Sequence, residues 1–435
     1  MKKSFKEKNN PDSVKMKDLW KRVSEYFNTE PQKAKVLARE DFDGVGDTYY
    51  ASVSASYKIA QRILILVLVG FIIISIITNF SEITYNNFYY LIRDFTSASD
   101  AGNNTYATLS YESDSRQNFV LFRGGIATVS PSKLSVFTAT GRRTLNETSD
   151  FSSPFAVSSN RYVLFYDTAG NTFSIYNSFA RVYSETLDNP VKCASIAEDG
   201  SFAVVTQSAN GTWVTRFYNE KFKITAIVPA KKRSYIFGVD LNSENRTLSV
   251  LSYNAGTGTG QTVLSVYDLS KMTEDMKDES LVRRFEYGSE FPIKCGFIGK
   301  DSFAIITDSR IRIYDKHFRE KGESADYSGG NITGYSLNSQ GVAISFMKSS
   351  GSNLVAYNSN GDLIYDTNVV QNVLDINVHG KYVFLQTEQG VTRVNTQSGV
   401  KQALDSGQGK MLIYNDKTAL VCGETKAEYI VFDNS

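Results

Sequence analysis

The chain is short of the residues on which most catalytic and metal sites depend. Its 435 residues include two histidines, three cysteines, two tryptophans and seven prolines. The histidines, His317 and His379, stand 62 positions apart in two segments predicted to be surface turns, so they lack the close spacing of a zinc site. No serine lies in a Gly-x-Ser-x-Gly elbow. We therefore expect no metal and can assign no catalytic residue from the sequence.

An excess of charge of one sign is also lacking. The net charge is +1, although residues 1–62 carry 13 Lys or Arg against 9 Asp or Glu. The remaining residues carry a small net negative charge, so a strongly basic surface for nucleic acid is not indicated. We therefore expect no nucleic-acid partner. Two short basic patches remain, Lys231-Lys232-Arg233 and Arg142-Arg143. Each is either solvated surface or a contact for an anionic envelope polymer or lipid.

Long hydrophobic runs are absent except for one. Residues 63–80 contain no charge, and with the preceding turn they are long enough to cross a bilayer core of about 30 Å. We therefore predict a transmembrane helix over 59–80. Lys58 and Arg62 precede it, whereas Arg93 is the only cation between 81 and 115. The positive-inside rule predicts a single-pass protein of the cell membrane, with a cytoplasmic N-terminus and the rest outside.

The segments on either side of this helix are expected to be small. Residues 1–58 form a cytoplasmic tail, in which apolar residues at helical spacing predict an amphipathic helix over about 13–28. That helix would lie on anionic lipid or dock on a partner, unless the periodicity arises by chance. Residues 81–104 are expected to be a juxtamembrane linker.

The remaining sequence, 105–435, repeats. Eight predicted strands end in an aromatic or apolar residue followed by a small polar one, and their spacing averages about 42 residues, the length of a four-stranded propeller blade. The pairs are Phe137-Thr138, Tyr176-Asn177, Tyr218-Asn219, Tyr267-Asp268, Tyr314-Asp315, Tyr357-Asn358, Val394-Asn395 and Phe432-Asp433. We expect the aromatic to fill the space between blades and the polar side chain to begin a turn. The fold class predicted is all-β, an eight-bladed β-propeller with seven blades as the alternative.

Alignment of the repeats gives more detail. Residues 190–206 match 292–307 with one deletion, which places Cys193 and Cys295 on equivalent inner strands of different blades. Together with Cys422 they are expected to be buried free thiols. Residues 256–260, Gly-Thr-Gly-Thr-Gly, are predicted to be a hairpin tip and not a phosphate loop. The charged insert 271–284 is predicted to form a short helix or lobe.

The last repeat stops after its third strand, so its outer strand must come from elsewhere. Residues 105–112, Thr-Tyr-Ala-Thr-Leu-Ser-Tyr-Glu, alternate in polarity and could supply it. Pairing the two ends of the domain in one blade would close the ring and leave no unpaired terminal edge.

These strand endings resemble those of diverged Trp-Asp-repeat and quinoprotein-like propellers. The whole chain is most similar to uncharacterised bacterial families with one N-terminal membrane helix and an extracytoplasmic propeller. No repeat carries a Gly-His or Trp-Asp pair, and the tryptophan-docking signature of quinone enzymes is absent, so no cofactor is expected.

Three functions are compatible with this organisation. The first is a non-enzymatic binding or scaffold module for an envelope protein or polymer, anchored to membrane lipid by its single helix. The second is an extracytoplasmic hydrolase or lyase, whose residues converge in the propeller channel from several blades. The third is a transmembrane sensor that couples the propeller to the cytoplasmic tail. The scarcity of catalytic residue types favours the first.

Overall fold

The computed structural model describes residues 57, 60–71, 73 and 106–433, apart from 179, 243, 245, 257, 273–279, 323–324 and 350. The chain divides into two compact units, residues 1–84 and 85–435. The predicted tail helix over 13–28 and the linker 81–104 lie outside the described residues, as do residues 59, 72 and 74–80 of the predicted transmembrane segment.

The described part of the first unit is helical. Helix α1, residues 60–71, carries Arg62 as its one charged residue, and large apolar side chains on it are exposed, with Leu64 and Phe71 each 71% exposed. Among the described residues, no helix is both long enough and apolar enough to cross a membrane.

The second unit is an eight-bladed β-propeller, as predicted. Its strands form eight four-stranded antiparallel sheets, each a blade. In the order from first to fourth strand, blade 1 contains β2 (Asn118–Phe122), β3 (Gly125–Val129), β4 (Lys133–Phe137) and β5 (Arg143–Thr148), and blade 2 contains β6 (Pro154–Ser158), β7 (Val163–Asp167), β8 (Thr172–Tyr176) and β9 (Arg181–Thr186). Blade 3 contains β10 (Cys193–Ile196), β11 (Phe202–Gln207), β12 (Trp213–Tyr218) and β13 (Ile224–Pro229). Blade 4 contains β14 (Ser234–Asn242), β15 (Thr247–Asn254), β16 (Gln261–Asp268) and β17 (Leu281–Glu286).

Blades 5 to 7 repeat this order, and blade 8 takes its outer strand from the beginning of the domain. Blade 5 contains β18 (Pro292–Ile298), β19 (Ser302–Thr307), β20 (Arg310–Asp315) and β21 (Ala325–Asp326), and blade 6 contains β22 (Asn331–Asn338), β23 (Gly341–Lys348), β24 (Gly351–Asn358) and β25 (Leu363–Val369). Blade 7 contains β26 (Asp375–His379), β27 (Tyr382–Thr387), β28 (Gly390–Asn395) and β29 (Lys401–Asp405). Blade 8 contains β30 (Lys410–Asn415), β31 (Thr418–Cys422), β32 (Lys426–Val431) and, as its outer strand, β1 (Leu109–Ser110).

The predicted closure of the ring is confirmed. Strand β1 lies antiparallel to β32, with Leu109 opposite Ala427. The Tyr111 N–H donates to the Thr425 carbonyl at 2.9 Å, and its hydroxyl donates to the Gly423 carbonyl at 2.8 Å. Two residues of strand thus join the beginning of the domain to its last blade.

The first strands of successive blades contact one another around the centre and line the channel. Turns between first and second strands and between third and fourth strands lie at one end of the channel, which we call the AB face. Turns between second and third strands and the connections between blades lie at the other end, which we call the DA face.

The core lies between the blades. Each of the eight buried apolar clusters in the described residues draws on two neighbouring blades. The aromatic strand endings belong to these clusters, as predicted: Phe202 of β11 stacks on Tyr218 of β12, with ring centroids 4.3 Å apart and planes 11° apart. Fully buried aromatic rings of this size stabilise such an interface by about 2 to 3 kcal/mol each.

The small polar residue after the third strand of blades 1 to 7 starts a turn, again as predicted. The Asn219 side-chain oxygen accepts from the Lys221 and Lys223 N–H groups at 3.0 and 3.1 Å, and equivalent bonds follow Asp315 and Asn358. Half of the insert 271–284, residues 273–279, lies outside the described residues, so its predicted short helix or lobe stays a prediction. A 3₁₀ turn spans Leu269–Lys271, and the end of the insert belongs to strand β17, because the outer strand of blade 4 needs these residues to cover β16.

Candidate binding face and central channel

Exposed aromatic rings gather on the DA face of blades 3 to 5. Tyr235 and Phe237 lie on the first strand of blade 4 and are 47% and 38% exposed. Tyr235 meets Trp213 of blade 3 edge to face at 6.0 Å. Phe237 meets Phe291 at 5.0 Å in the connection between blades 4 and 5, and Tyr253 reaches the same ring at 5.3 Å. Such rings, with an apolar body and large contact area, are typical of protein-binding surfaces.

Two features of β14 place these rings. Its register shifts between Ile236 and Gly238, and this bulge turns Phe237 toward Phe291 on the blade 5 side. Gly238 then lies so close to blade 5 that a Cβ atom there would meet the Cys295 sulfur at 3.3 Å. A β-bulge commonly redirects one side chain in this way.

The channel wall contains a carboxylate that joins three blades. Asp240 of β14 accepts from the Ser195 hydroxyl at 2.7 Å and from the Phe297 N–H at 2.8 Å, so blade 4 is bonded to blades 3 and 5. Burial raises the pKa of Asp240, and these hydrogen bonds together with Lys294 oppose the shift. Because both oxygens already have partners, this carboxylate acts as a structural tie.

Two lysines project into the channel. Lys294 of blade 5 and Lys410 of blade 8 are solvent-exposed, yet protein surrounds each of them, as expected of side chains in a channel. This surrounding lowers the pKa of both amines. Lys410 donates to the Phe119 carbonyl at 2.9 Å and faces Asp375 of blade 7, whose pKa burial raises to about 6.

The two channel carboxylates have different surroundings. The pKa of Asp375 is set by burial, by the N–H groups of Ile376 and Met411 and by Lys410, whereas Asp240 responds to a different set of neighbours. Each carboxylate therefore has its own set of partners in the channel wall. No cluster of three metal-ligating side chains occurs among the described residues.

The cysteines behave as predicted with one difference. All three are free, and Cys193 and Cys295 lie on inner strands of blades 3 and 5. Cys193 is half-buried because it begins its strand near the channel, whereas the other two are buried. Burial raises the pKa of Cys193 and of Cys422 to about 12, which leaves them protonated and unreactive.

The structure separates the two basic patches and the two histidines. Lys231-Lys232-Arg233 forms the connection from blade 3 to blade 4 on the DA face, beside Trp213 and Tyr235. Arg142-Arg143 follows the third strand of blade 1 on the AB face. His317 lies in an AB-face turn of blade 5, as predicted, whereas His379 is the last residue of β26, next to an AB-face turn of blade 7.

His379 is nevertheless half-buried, which corrects the expectation of a surface position. Its Nδ1 atom is buried without a hydrogen-bond partner in the described part of the chain, and burial lowers its pKa. Residues 256–260 form the hairpin between β15 and β16, as predicted, within the limits of the described residues.

Sequence reasoning missed the channel lysines and the aromatic rings of the DA face. Tyr235 and Phe237 alternate with buried Ser234 and Ile236, so the segment has the pattern of an ordinary half-buried strand. The signal that could have revealed them is their position, directly after a basic connection between blades.

Comparison with known proteins gives a family and a fold. The profile of a family of unknown function, DUF5711, matches residues 101–431. The chain belongs to this family. No curated protein matches this DUF5711 chain significantly.

Among solved structures, the Saccharomyces cerevisiae protein Sqt1 superposes with a TM-score of 0.52 at 10% identity, over 76% of this chain and all of Sqt1. BamB from Moraxella catarrhalis gives 0.49 at 11% identity, over 75% of this chain and 99% of BamB. At such identities the likeness is one of fold alone.

Proposed function

We propose that this DUF5711 chain is a membrane-anchored binding module, with an extracytoplasmic propeller that holds an envelope protein on its DA face. The exposed rings of Tyr235, Phe237 and Phe291 carry the proposal. Each is more than a third exposed, they come from blade 4 and its connection to blade 5, and ordered aromatic rings of this kind supply most of the energy of many interfaces.

The membrane part of the proposal rests on the composition of α1 and the segment that follows it. Residues 63–80 contain no charged residue, and the apolar side chains on the described turns of α1 are exposed. Lipid is the solvent that suits such a surface. The cations before residue 63 support a cytoplasmic N-terminus.

Site-specific photo-crosslinking in intact cells tests the binding face. A photoreactive phenylalanine analogue at Tyr235 or Phe291 should give one discrete adduct with another protein. The same residue at Val400, which is 46% exposed in an AB-face turn of blade 7, is the matched control and should give none. Equal adducts from both faces, or none from the DA face, would contradict the proposal.

Cysteine labelling tests the orientation. A cysteine replacing exposed Lys401 should react with a membrane-impermeant maleimide on intact cells. The parent chain, with two buried thiols and one half-buried thiol, gives the background. Labelling that appears only after lysis would place the propeller on the cytoplasmic side.

A further inference from the structure

The connection between blades 3 and 4 forms a cationic surface beside two aromatic rings. The Ala230 N–H donates to the Trp213 carbonyl at 2.7 Å, and the Ser234 N–H donates to the Lys231 carbonyl at 3.0 Å, which holds the turn tightly. All three cations of the turn are exposed. We call the group Trp213, Lys231, Lys232, Arg233 and Tyr235 the blade 3–4 surface.

In the described part of the chain, the loops around this surface compensate little of its positive charge. The hairpins 208–212 and 255–260, on either side of the turn, contain no charged residue. Glu286 lies close enough to interact with Lys231. However, its carboxylate already accepts from Gln261 at 2.9 Å and from Arg284 at 3.2 Å. A partner with negative charge would therefore be attracted to this surface.

Arg233 has a backbone conformation that glycine adopts more readily than arginine. Its φ of 62° lies in the left-handed region, which costs a non-glycine residue about 1 kcal/mol. The turn needs this conformation, because the Arg233 carbonyl accepts from the Ala255 N–H at 3.0 Å. Glycine would fit without that cost. A strained residue that retains a long cationic side chain is a candidate for a functional contact.

A cavity with a partly apolar wall lies next to this surface. It has a volume of about 230 Å³ between blades 3 and 4 and reaches Lys231. Its wall combines Val228, Ile236, Val250 and Val263 with four serines and Arg284. This volume is smaller than the roughly 300 to 1,000 Å³ of sites for whole small molecules, and suits a single apolar or aromatic side chain.

We propose that the blade 3–4 surface binds an acidic polypeptide segment of the partner, which inserts one apolar or aromatic side chain into this cavity. The inference rests on the proposed function and adds the chemistry of the partner. The cations meet its carboxylates, Trp213 and Tyr235 flank the chain, and the cavity distinguishes a polypeptide from a polysaccharide, which has no such side chain to insert.

Binding of defined polyanions to the full-length chain in detergent tests the proposal. The probes are a fluorescent glutamate–tyrosine copolymer, polyglutamate and heparin, followed by fluorescence anisotropy. The copolymer should bind more tightly than either other probe. The triple change Lys231→Gln, Lys232→Gln and Arg233→Gly should weaken its binding about tenfold, since exposed ion pairs contribute about 0.2 to 1 kcal/mol each.

Two controls separate binding from folding. Changing Arg142 and Arg143 to Gln removes cations from the AB face and should leave copolymer binding unchanged. Arg233→Gly alone should maintain or raise the melting temperature while weakening binding, so a loss of affinity there cannot come from unfolding.

Heparin binding as tight as the copolymer, or equal losses from the two sets of variants, would overturn the proposal and indicate a general polyanion surface. The Tyr235 photo-crosslink distinguishes this failure from that of the proposed function. If the adduct persists unchanged in the triple variant, the DA face holds a partner without these cations.

Discussion

Two phenylalanines occupy left-handed backbone positions that L residues rarely adopt. Phe222 and Phe318, with φ of 59° and 55°, stand third after the polar residue that begins the turn between third and fourth strands. The equivalent turn of blade 6 has Gly361, with φ of 79°. The rings explain the choice, because Phe222 stacks on Tyr183 at 5.2 Å and Phe318 packs on Phe303 at 5.6 Å. Each ring covers the AB end of a gap between blades.

At Phe318, the glycine variant should therefore be more stable than the alanine variant, the reverse of the usual order. Loss of the ring should cost about 3 to 5 kcal/mol in Phe318→Ala. Phe318→Gly should cost about 1 kcal/mol less, because glycine adopts positive φ without strain. Urea unfolding measures both variants. The matched pair is Phe303 in β19, where glycine should be the worse replacement, and the same order at both positions would refute the explanation.

Asp375 should make stability depend on pH. Its pKa is about 6 in the folded state and near 4 in the unfolded chain, so the folded state binds the proton more tightly. Stability should therefore fall as pH rises from about 4 to 6, with Lys410 as the facing charge. Thermal melts of Asp375→Asn should lack this part of the decline. Asp405→Asn, on an exposed outer strand, should retain the parental profile.

At the scale of the element, one arginine holds strand β28 against the end of the last blade. Arg393 is 2% exposed and donates to the Asp416 carbonyl at 2.8 Å and to the Asp433 carbonyl at 2.7 Å. Its guanidinium also lies 4.6 Å from the Tyr382 ring centroid and 5.1 Å from that of Phe432. A planar fork with several donors is needed to reach both carbonyls.

Arg393→Lys should destabilise the propeller by about 2 kcal/mol, because lysine keeps the charge but cannot bond both carbonyls at once. Urea unfolding gives the size of the effect, and limited proteolysis after Lys417 should show an earlier release of the last blade. Exposed Arg161→Lys should change neither measurement. A Lys variant as stable as the parent would show that the ring contacts alone hold this strand.

At the scale of the whole molecule, the ring depends on a very short strand. Leu109 is 1% exposed and packs with Phe119, Leu420 and Ala427 in the cluster between blades 8 and 1. Leu109→Ala should cost about 2 to 5 kcal/mol and make β32 sensitive to protease. Leu404→Ala, on an outer strand and 39% exposed, should change stability by less than about 0.5 kcal/mol. Similar melting temperatures for the two variants would show that β1 does not close the ring.

The architecture could be predicted because residues adjacent in the sequence indicate both the core and the turns of each blade. The pair of Tyr218 and Asn219 combines a core residue and a turn residue at adjacent positions, and the repeat of that pair counts the blades. The alternating segment 105–112 precedes the first complete repeat, and the last repeat lacks an outer strand, so the two could be matched from the sequence. The transmembrane helix and its orientation stay predictions.

The candidate site could not be predicted, because its members meet only in the folded ring. Asp240, Ser195 and Phe297 lie in three different blades, and the depth of each in the channel depends on strand register. The bulge at Gly238 changes which way Phe237 points, and no local pattern announces it. Spacing along the chain does not encode these distances.

The closure of the ring also sets a time interval during synthesis. The Tyr111 hydroxyl can donate to the Gly423 carbonyl only after the next 312 residues have been synthesised. At roughly 5 to 20 residues per second, the ribosome needs on the order of 15 to 60 seconds to supply that partner. Through this interval the first strand has no sheet to join. Exchange of this segment between nascent chains, giving intertwined dimers, is therefore the assembly error to which this propeller is most open.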